Sequence, residues 1–186
     1  DPSEEEKDNP ISSMVGNGLR PDLWDCFRNR FNVERIVEIY GASEGNALFM
    51  NLLNKDETIG MTNARVALFE YDVAEDKLVK DTESKFIEVG EGQPGLLLVE
   101  IGPDAIYNGY TDKKASEEKV ISNVFEEGDR WFNTGDLVKT MDVGFSLGRA
   151  HYQFVDRVGD TFRWKSENVS TNEVAEILNA FDQVNM

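Results

Sequence analysis

The segment Ile39-Tyr40-Gly41-Ala42-Ser43-Glu44-Gly45 follows an apolar run, Arg35 to Ile39, that is typical of a short β-strand. Within five residues it offers an aromatic ring at Tyr40, a hydroxyl at Ser43 and a carboxylate at Glu44. A ring can stack on a base, a hydroxyl can donate to a phosphate oxygen, and a carboxylate can hold a Mg²⁺ ion that bridges phosphates. Glycine also lets the backbone approach a ligand closely. This strand end therefore predicts a nucleotide site, and the alternative is an ordinary strand-to-loop junction with a solvated Glu44.

The composition narrows the class of protein. The chain has 186 residues, of which 40% are hydrophobic, so it is long enough for one ordinary domain or for pieces of two. Its formal net charge of −17 argues against nucleic acid or an anionic membrane as the main partner. No apolar run approaches the roughly 20 residues that a membrane-spanning helix needs.

Cysteine and histidine each occur once. The single cysteine, Cys26, excludes an intrachain disulfide, fits a reducing compartment such as the cytoplasm, and is expected to pack in the core. The single histidine, His151, is expected to have a structural or surface role. A histidine triad or a multi-histidine metal site within this chain is therefore not expected.

The first part of the chain predicts a β-α-β unit. Residues 1–10 are acidic and are expected to form a solvated arm or loop. In residues 11–57 a short strand is followed by the turn Gly16-Asn17-Gly18, a helix that Pro21 opens, and the strand that leads to Tyr40. Because ligands gather at the carboxyl ends of parallel strands, we expect the turn and Tyr40 to lie at one edge of the sheet. For the turn, simple turn chemistry is the alternative.

Residues 58–155 predict a β-rich subdomain, a small distorted barrel. Strands are expected at 64–71, 96–101, 137–141 and 152–155, with shorter β segments between the first two. We also expect a helix that Asp112 caps. Its buried face would be formed by Val120, Ile121, Val124 and Phe125.

Asp136 is a second candidate site residue. In the segment Phe132-Asn133-Thr134-Gly135-Asp136 it follows a glycine, and we expect it to begin the strand that runs from Leu137. A carboxylate held there can accept both hydroxyls of a ribose. The alternative is an ordinary turn aspartate.

Residues 156–186 predict a hinge and the beginning of a further domain. The stretch from Asp156 to Val174 is polar and charged, and Ser170 and Glu173 have the spacing of a helix capping box. The residues that follow predict an amphipathic helix, with Val174, Ile177, Leu178 and Phe181 on its apolar face. Because this helix has no packing partner before Met186, we expect the chain to be a piece of a longer protein.

Three stretches together resemble the adenylate-forming acyl-CoA synthetases: residues 40–44, residues 132–136 and residues 156–174. The sequence of the last stretch, DRVGDTFRWKSENVSTNEV, is similar to that of the fatty acid transport protein / very-long-chain acyl-CoA synthetase branch. The resemblance runs from about residue 11 to the end of the chain. It implies an α/β fold: part of a parallel αβ sheet layer, a small distorted β-barrel subdomain, and the start of a C-terminal α+β lid domain.

The resemblance implies a fatty acid-CoA ligase. A carboxylate attacks the α-phosphate of ATP and becomes an acyl-adenylate, pyrophosphate leaves, and the thiol of coenzyme A then displaces AMP. Mg²⁺ and cationic groups offset charge during phosphoryl transfer. The implied partners are a fatty acid, ATP and coenzyme A.

The resemblance also implies roles for individual residues. Tyr40 would stack on adenine, Ser43 would touch the α-phosphate, and Glu44 would ligate Mg²⁺; the last two would be the catalytic residues. Asp136 would hold the ribose hydroxyls, and Arg157 would reach the ribose or a phosphate. The implied nucleotide site comprises Gly16, Asn17, Gly18, Tyr40, Gly41, Ala42, Ser43, Asp136 and Arg157.

The hinge between two domain orientations would fall on Gly159, where the wider superfamily has an acidic residue or a lysine, with Asp160 sharing the role. Arg163, Lys165 and Ser166 are candidates for contacts to coenzyme A or phosphate. Ser166 stands where the superfamily usually has glycine, and a serine narrows the path of the pantetheine arm.

Two elements of the superfamily are not expected in this chain. Residues 1–40 contain nothing like its phosphate loop, and its C-terminal catalytic lysine would lie beyond Met186. We therefore predict that the parent protein is the ligase and that this chain alone is inactive. The alternatives are a non-catalytic AMP-binding or protein-interaction module and a ligase for another bulky acid such as a bile acid. A cytoplasmic location is expected, and association with the inner face of a membrane would use parts outside this chain.

Overall fold

The structure is a computed structural model. It describes residues 3–41, 47–103, 105–107, 113–160, 162–164, 167–169 and 171–179. Two sheets organise these residues, a mixed sheet of three strands and an antiparallel sheet of five. Two short two-stranded ribbons complete the described β structure.

The predicted β-α-β unit is present in the first sheet. Strand β1 (Ser13–Gly16) and strand β2 (Arg35–Gly41) are parallel neighbours, joined through helix α1 (Trp24–Phe31). A single 3₁₀ turn, Pro21–Leu23, leads into α1, as expected for a proline in the first helical turn. Strand β3 (Leu48–Met50) pairs antiparallel on the other side of β2.

Helix α1 is held against the sheet by its aromatic face. Trp24 is 1% exposed and packs with Val33 and Ile36, while Phe27 and Phe31 cover the edge of this cluster. Asn32 ends the helix in the left-handed conformation, with φ 51°. The expectation that Cys26 packs in the core is wrong, because this residue of α1 is exposed.

The second sheet carries the β-rich part of the chain. In chain order its strands are β4 (Val66–Phe69), β7 (Gly95–Glu100), β8 (Val120–Ser122), β9 (Arg130–Met141) and β10 (His151–Arg157). The strand order is β10-β9-β7-β4, and β8 pairs with the first part of β9. Between β4 and β7 in the chain, β5 (Tyr71–Asp72) and β6 (Lys77–Leu78) form a separate two-stranded ribbon.

The core forms on both faces of β7, because residues 96–99 are all fully buried. On one face Leu97 and Val99 pack with Val138 and with Phe49 of β3. On the other face Leu96 and Leu98 belong to a cluster that includes Trp131 and Phe69. The first cluster joins the two sheets, since it draws residues from both.

Two expectations for the middle of the chain are corrected. The helix is only α2 (Lys113–Glu118), and Val120 and Ile121 belong to strand β8 rather than to a buried helical face. Val124 and Phe125 lie in the loop that follows. Asp136 does not begin a strand either, because β9 runs continuously through it.

The last elements follow a 3₁₀ turn at Val158–Asp160. They are strands β11 (Phe162–Trp164) and β12 (Glu167–Val169), which pair with each other, and helix α3 (Thr171–Asn179). Val174 of α3 is partly buried, whereas Ile177 and Leu178 are exposed, and Phe181 and Ser170 lie outside the described residues. Within the described ranges no helix is both long enough and apolar enough to cross a bilayer.

Candidate nucleotide site

Asp136 lies at an irregularity of strand β9. Here three residues, Thr134 to Asp136, face the single residue Leu97 of β7. Gly135 adopts φ 75°, and its N–H donates to the side-chain oxygen of Asn133 at 2.9 Å. The hydroxyl of Thr134 accepts from the N–H of Asp136 at 3.1 Å and donates to the carbonyl of Leu97 at 2.9 Å. Bulges of this kind change the direction of a side chain relative to regular pleating, and this one is fixed by its own polar side chains.

The structure brings two other predicted site residues, Tyr40 and Arg157, to the Asp136 carboxylate. The hydroxyl of Tyr40 donates to Oδ2 of Asp136 at 2.5 Å. Nε of Arg157 lies 3.4 Å from Oδ1, and Arg157 is directly opposite Asp136 in the β9–β10 pairing. Asp136 is 6% exposed, whereas the side chain of Arg157 is 72% exposed. The carboxylate is therefore embedded in the protein, while the cation beside it reaches into solvent.

Tyr40 is fixed by aromatic packing. Its ring meets Phe49 edge-on, with ring centroids 5.4 Å apart, and lies 6.3 Å from the ring of Phe154. Burial, followed by the charge and the hydrogen bond of Asp136, raises the pKa of the Tyr40 hydroxyl well above its usual range. The hydroxyl therefore remains a hydrogen-bond donor at physiological pH.

Glu38 is a component of this edge that the sequence reasoning missed. It is 3% exposed, and its Oε1 accepts hydrogen bonds from the backbone N–H groups of Gly18 and Leu19. Its Oε2 has no hydrogen-bond partner among the described residues, and burial raises the pKa of this carboxyl. Glu38 also pairs with Gly16 in the parallel register of β1 and β2. The Gly16-Asn17-Gly18 turn is thus anchored to β2 two residues before Tyr40.

The signal for Glu38 was present in the sequence. It is the acidic residue inside the apolar run that forms β2, and a buried carboxyl requires hydrogen-bond donors. The donors come from a turn about 20 residues earlier, so the strand pattern alone did not identify them.

The structure describes the remaining predicted site residues only in part. Gly16 and Gly41 end strands β1 and β2, and Gly18 has φ 92°. Gly159 is exposed and lies in the 3₁₀ turn after β10. Asp160 and Arg163 are described by their backbone alone. The predictions for Ala42, Ser43, Glu44, Lys165 and Ser166 fall outside the described residues.

A metal site is not visible in the part of the chain that the structure describes. No group of three or more His, Cys, Asp or Glu side chains there is arranged to hold an ion. The predicted Mg²⁺ ligand, Glu44, falls outside this part, so the magnesium site remains a prediction.

Solved structures share this fold. The ATP-bound MatB of Rhodopseudomonas palustris superposes with a TM-score of 0.63 at 19% identity, over 94% of this chain and 31% of that one. The anthranilate CoA ligase AuaEII, solved with anthranoyl-AMP, gives a TM-score of 0.61 at 19% identity, over 93% of this chain and 30% of that one. This chain therefore has the fold of a portion of these two proteins.

Sequence comparison finds relatives of higher identity among fatty acid-CoA ligases and fatty acid transport proteins. The medium/long-chain-fatty-acid–CoA ligase FadD6 of Mycobacterium tuberculosis is 44% identical over 173 residues, which are 93% of this chain and 28% of that protein. The long-chain fatty acid transport protein 2 of Rattus norvegicus is 40% identical over 186 residues, 96% of this chain and 29% of that protein. Human long-chain fatty acid transport protein 3 is 36% identical over 188 residues. No protein-family model matches the chain.

The predicted resemblance to the fatty acid transport protein / very-long-chain acyl-CoA synthetase branch of the adenylate-forming ligases is confirmed by these relatives. The chain spans between 27% and 29% of the length of each of the three.

Proposed function

We propose that this chain forms part of the nucleotide site of a long- or very-long-chain fatty acid-CoA ligase. The observation that carries the proposal is the placement of Asp136, which a bulge in β9 sets between the hydroxyl of Tyr40 and the guanidinium of Arg157. Identity to FadD6 over 93% of the chain supports the same substrate class. A ligase for another bulky carboxylic acid remains the second candidate.

The proposed reaction has two steps. An oxygen of the fatty acid carboxylate attacks the α-phosphorus of ATP, the bond to the β-phosphate oxygen breaks, and pyrophosphate leaves. The thiol of coenzyme A, after losing its proton, then attacks the carbonyl carbon of the acyl-adenylate. AMP leaves, and the product is the acyl-CoA thioester.

The described residues would bind and orient the nucleotide. Asp136 would accept hydrogen bonds from both ribose hydroxyls, because a carboxylate offers two oxygens at the spacing that a vicinal diol needs. Arg157, exposed beside it, would offset phosphate charge. The ring of Tyr40 and the Gly16-Asn17-Gly18 turn, both at the carboxyl ends of parallel strands, would form the adenine side.

The remaining roles in the proposal follow the resemblance. Ser43 would contact the α-phosphate, and Mg²⁺ held by Glu44 would offset charge on the phosphate oxygens. Gly159 and Asp160 would form the hinge, and Arg163, Lys165 and Ser166 would lie near coenzyme A. We place the protein in the cytoplasm, with any contact to the inner face of a membrane made by parts outside this chain.

Equilibrium binding tests the nucleotide site. Calorimetric titration of the chain with AMP is expected to give saturable binding that Asp136→Ala reduces at least tenfold. Glu83→Ala, which removes an exposed carboxylate from the 81–85 turn, is the matched control and should bind like the unsubstituted chain. Binding that survives Asp136→Ala would contradict the proposed site.

Catalysis is tested separately. The chain spans little more than a quarter of its relatives, so we propose that it does not turn over alone. Pyrophosphate release from ATP with Mg²⁺ and oleate should stay at background, and turnover above background would contradict this.

A further inference from the structure

We propose that the hydroxyl of Tyr40 is a positioning group for Asp136, which it holds in the orientation that accepts the two ribose hydroxyls. This role is separate from stacking by the tyrosine ring. It rests on the proposed function, because it assumes that Asp136 binds a ribose.

A carboxylate needs an external partner to hold its orientation. The last torsion of an aspartate side chain is broad, so an unconstrained carboxyl group rotates among many orientations. The Tyr40 hydroxyl reaches Oδ2 at 2.5 Å, the distance of a charge-assisted hydrogen bond. Tyr40 belongs to the three-stranded sheet and Asp136 to the five-stranded sheet, so the bond also joins the two sheets at the site.

The hydroxyl can serve this purpose because Tyr40 is itself held firmly. Its ring lies edge-on to Phe49, a fully buried residue, and is tilted against Phe154. Phe49 belongs to the core cluster that joins the two sheets, and Phe154 packs against that cluster. A donor on such a rigid ring loses little further freedom when it hydrogen-bonds to Asp136.

A carboxylate can bind more than one donor. Its two oxygens offer about four lone-pair sites, and the Tyr40 hydroxyl uses one of them. Nε of Arg157 lies 3.4 Å from Oδ1, on a side chain that is largely exposed. A ribose diol would engage the two oxygens while Tyr40 keeps the plane of the carboxylate fixed.

The test compares two tyrosines and two nucleotides. Tyr40→Phe removes the hydroxyl and keeps the ring. Tyr152→Phe is the matched control, since Tyr152 packs against the same Phe49 ring with centroids 5.2 Å apart. Affinities of each variant for AMP and for 2′,3′-dideoxy-AMP are measured by calorimetry. Tyr40→Phe should weaken the binding of AMP by about three- to tenfold and the binding of the dideoxy nucleotide by less than twofold. Tyr152→Phe should leave both affinities unchanged.

Equal losses for both nucleotides, or no loss for either, would overturn the positioning role. If Asp136→Ala abolishes AMP binding while Tyr40→Phe has no effect, the nucleotide site stands and this inference alone fails. If the unsubstituted chain does not bind AMP, the proposed nucleotide site and this inference both fail.

Discussion

Glu38 accepts a hydrogen bond from the backbone N–H of Leu19 at 3.1 Å, so a buried carboxyl on β2 holds the turn that follows β1. The N–H of Gly18 donates to the same oxygen. Through this carboxyl the ends of two parallel strands have a fixed relative position, and Tyr40 follows two residues later. The candidate site thus depends on a buried acid as well as on the residues that would touch a ligand.

Glu38→Gln should reveal this buried acid as a pH-dependent difference in stability. Burial raises the pKa of the Glu38 carboxyl in the folded chain, so the unfolded chain ionises first, near pH 4.3. Above that pH the unsubstituted chain loses stability that the glutamine variant keeps. The free energy of unfolding of the variant minus that of the unsubstituted chain should therefore rise with pH from about 4.3 and become constant above the folded pKa.

Urea unfolding from pH 3.5 to 7.5 measures this difference. Glu34→Gln is the control, because it removes an exposed carboxylate next to the same strand, and its difference should stay small throughout. A difference for Glu38→Gln that falls as the pH rises would show that the carboxylate is stabilised in its charged form.

Gly60→Ala should be strongly destabilising. Gly60 has φ 84°, and a Cβ atom there would overlap the backbone of Met50, which pairs with Met61. We expect a loss of at least about 3 kcal/mol or a failure to fold. Gly159→Ala is the control, since nothing lies within 4 Å of a Cβ built at that position, and it should change stability by less than about 0.5 kcal/mol. Equal unfolding midpoints for the two variants would refute this account.

Asp129→Asn should loosen the loop that covers Trp131. The Asp129 carboxylate accepts from the N–H groups of Val124, Phe125 and Glu126 at 2.7, 2.8 and 3.1 Å, and Phe125 packs on Trp131 at 5.1 Å. An amide group offers two N–H donors where the loop needs acceptors, so we expect a loss of about 1 to 3 kcal/mol.

The effect of Asp129→Asn should depend on pH in the direction opposite to that of Glu38→Gln. Burial works against the charge of Asp129, but the N–H donors of Phe125 and Val124 outweigh it, and the folded pKa is lowered. Its stabilisation is present above about pH 3.9 and is lost as the pH falls through the folded value. The destabilisation measured in urea should shrink in acid, with Glu127→Gln as an exposed control. A constant loss at every pH would contradict the electrostatic explanation.

Arg157→Gln should weaken nucleotide binding while the chain still folds. The side chain of Arg157 is 72% exposed, but that of its partner Asp136 is only 9% exposed, so loss of the cation should also lower the free energy of unfolding by about 1 to 3 kcal/mol. Loss of the cation should lower AMP affinity by roughly five- to twentyfold at low salt and less at high salt, because salt screens exposed charges. Arg130→Gln, an equal charge change at the start of β9, is the control for net charge. If both variants weaken the binding of AMP equally, the effect comes from the overall charge of the protein and not from the position of Arg157.

Much of the fold was predictable because local pattern and tertiary structure agree. The apolar run 96–99 reads as a buried strand and is one, and the strand-turn-helix-strand order of the first unit is visible from its glycines and Pro21. The spacing of Val120, Ile121, Val124 and Phe125 misled, because it is also compatible with one face of a helix. Val120 and Ile121 are instead set as a strand by pairing with Phe132 and Trp131, which no local pattern records.

The residues of the candidate site could be proposed from the sequence, whereas the contacts between them could not. The residue types of Tyr40 and Asp136, and the family resemblance for Arg157, suggested a nucleotide site, yet Tyr40 and Asp136 are 96 residues apart in the chain. Their contact arises from two sheets packing together and from a bulge that Asn133 and Thr134 stabilise. Such long-range geometry follows from the assembled core and cannot be read from a single segment.

The most direct test of the central claim is a crystal structure of the chain with a non-hydrolysable oleoyl-adenylate analogue. The account predicts both ribose hydroxyls within about 3.2 Å of the Asp136 carboxylate, with the Tyr40 hydroxyl still bonded to Oδ2. A ribose bound elsewhere, with Asp136 in contact only with Tyr40 and Arg157, would contradict it.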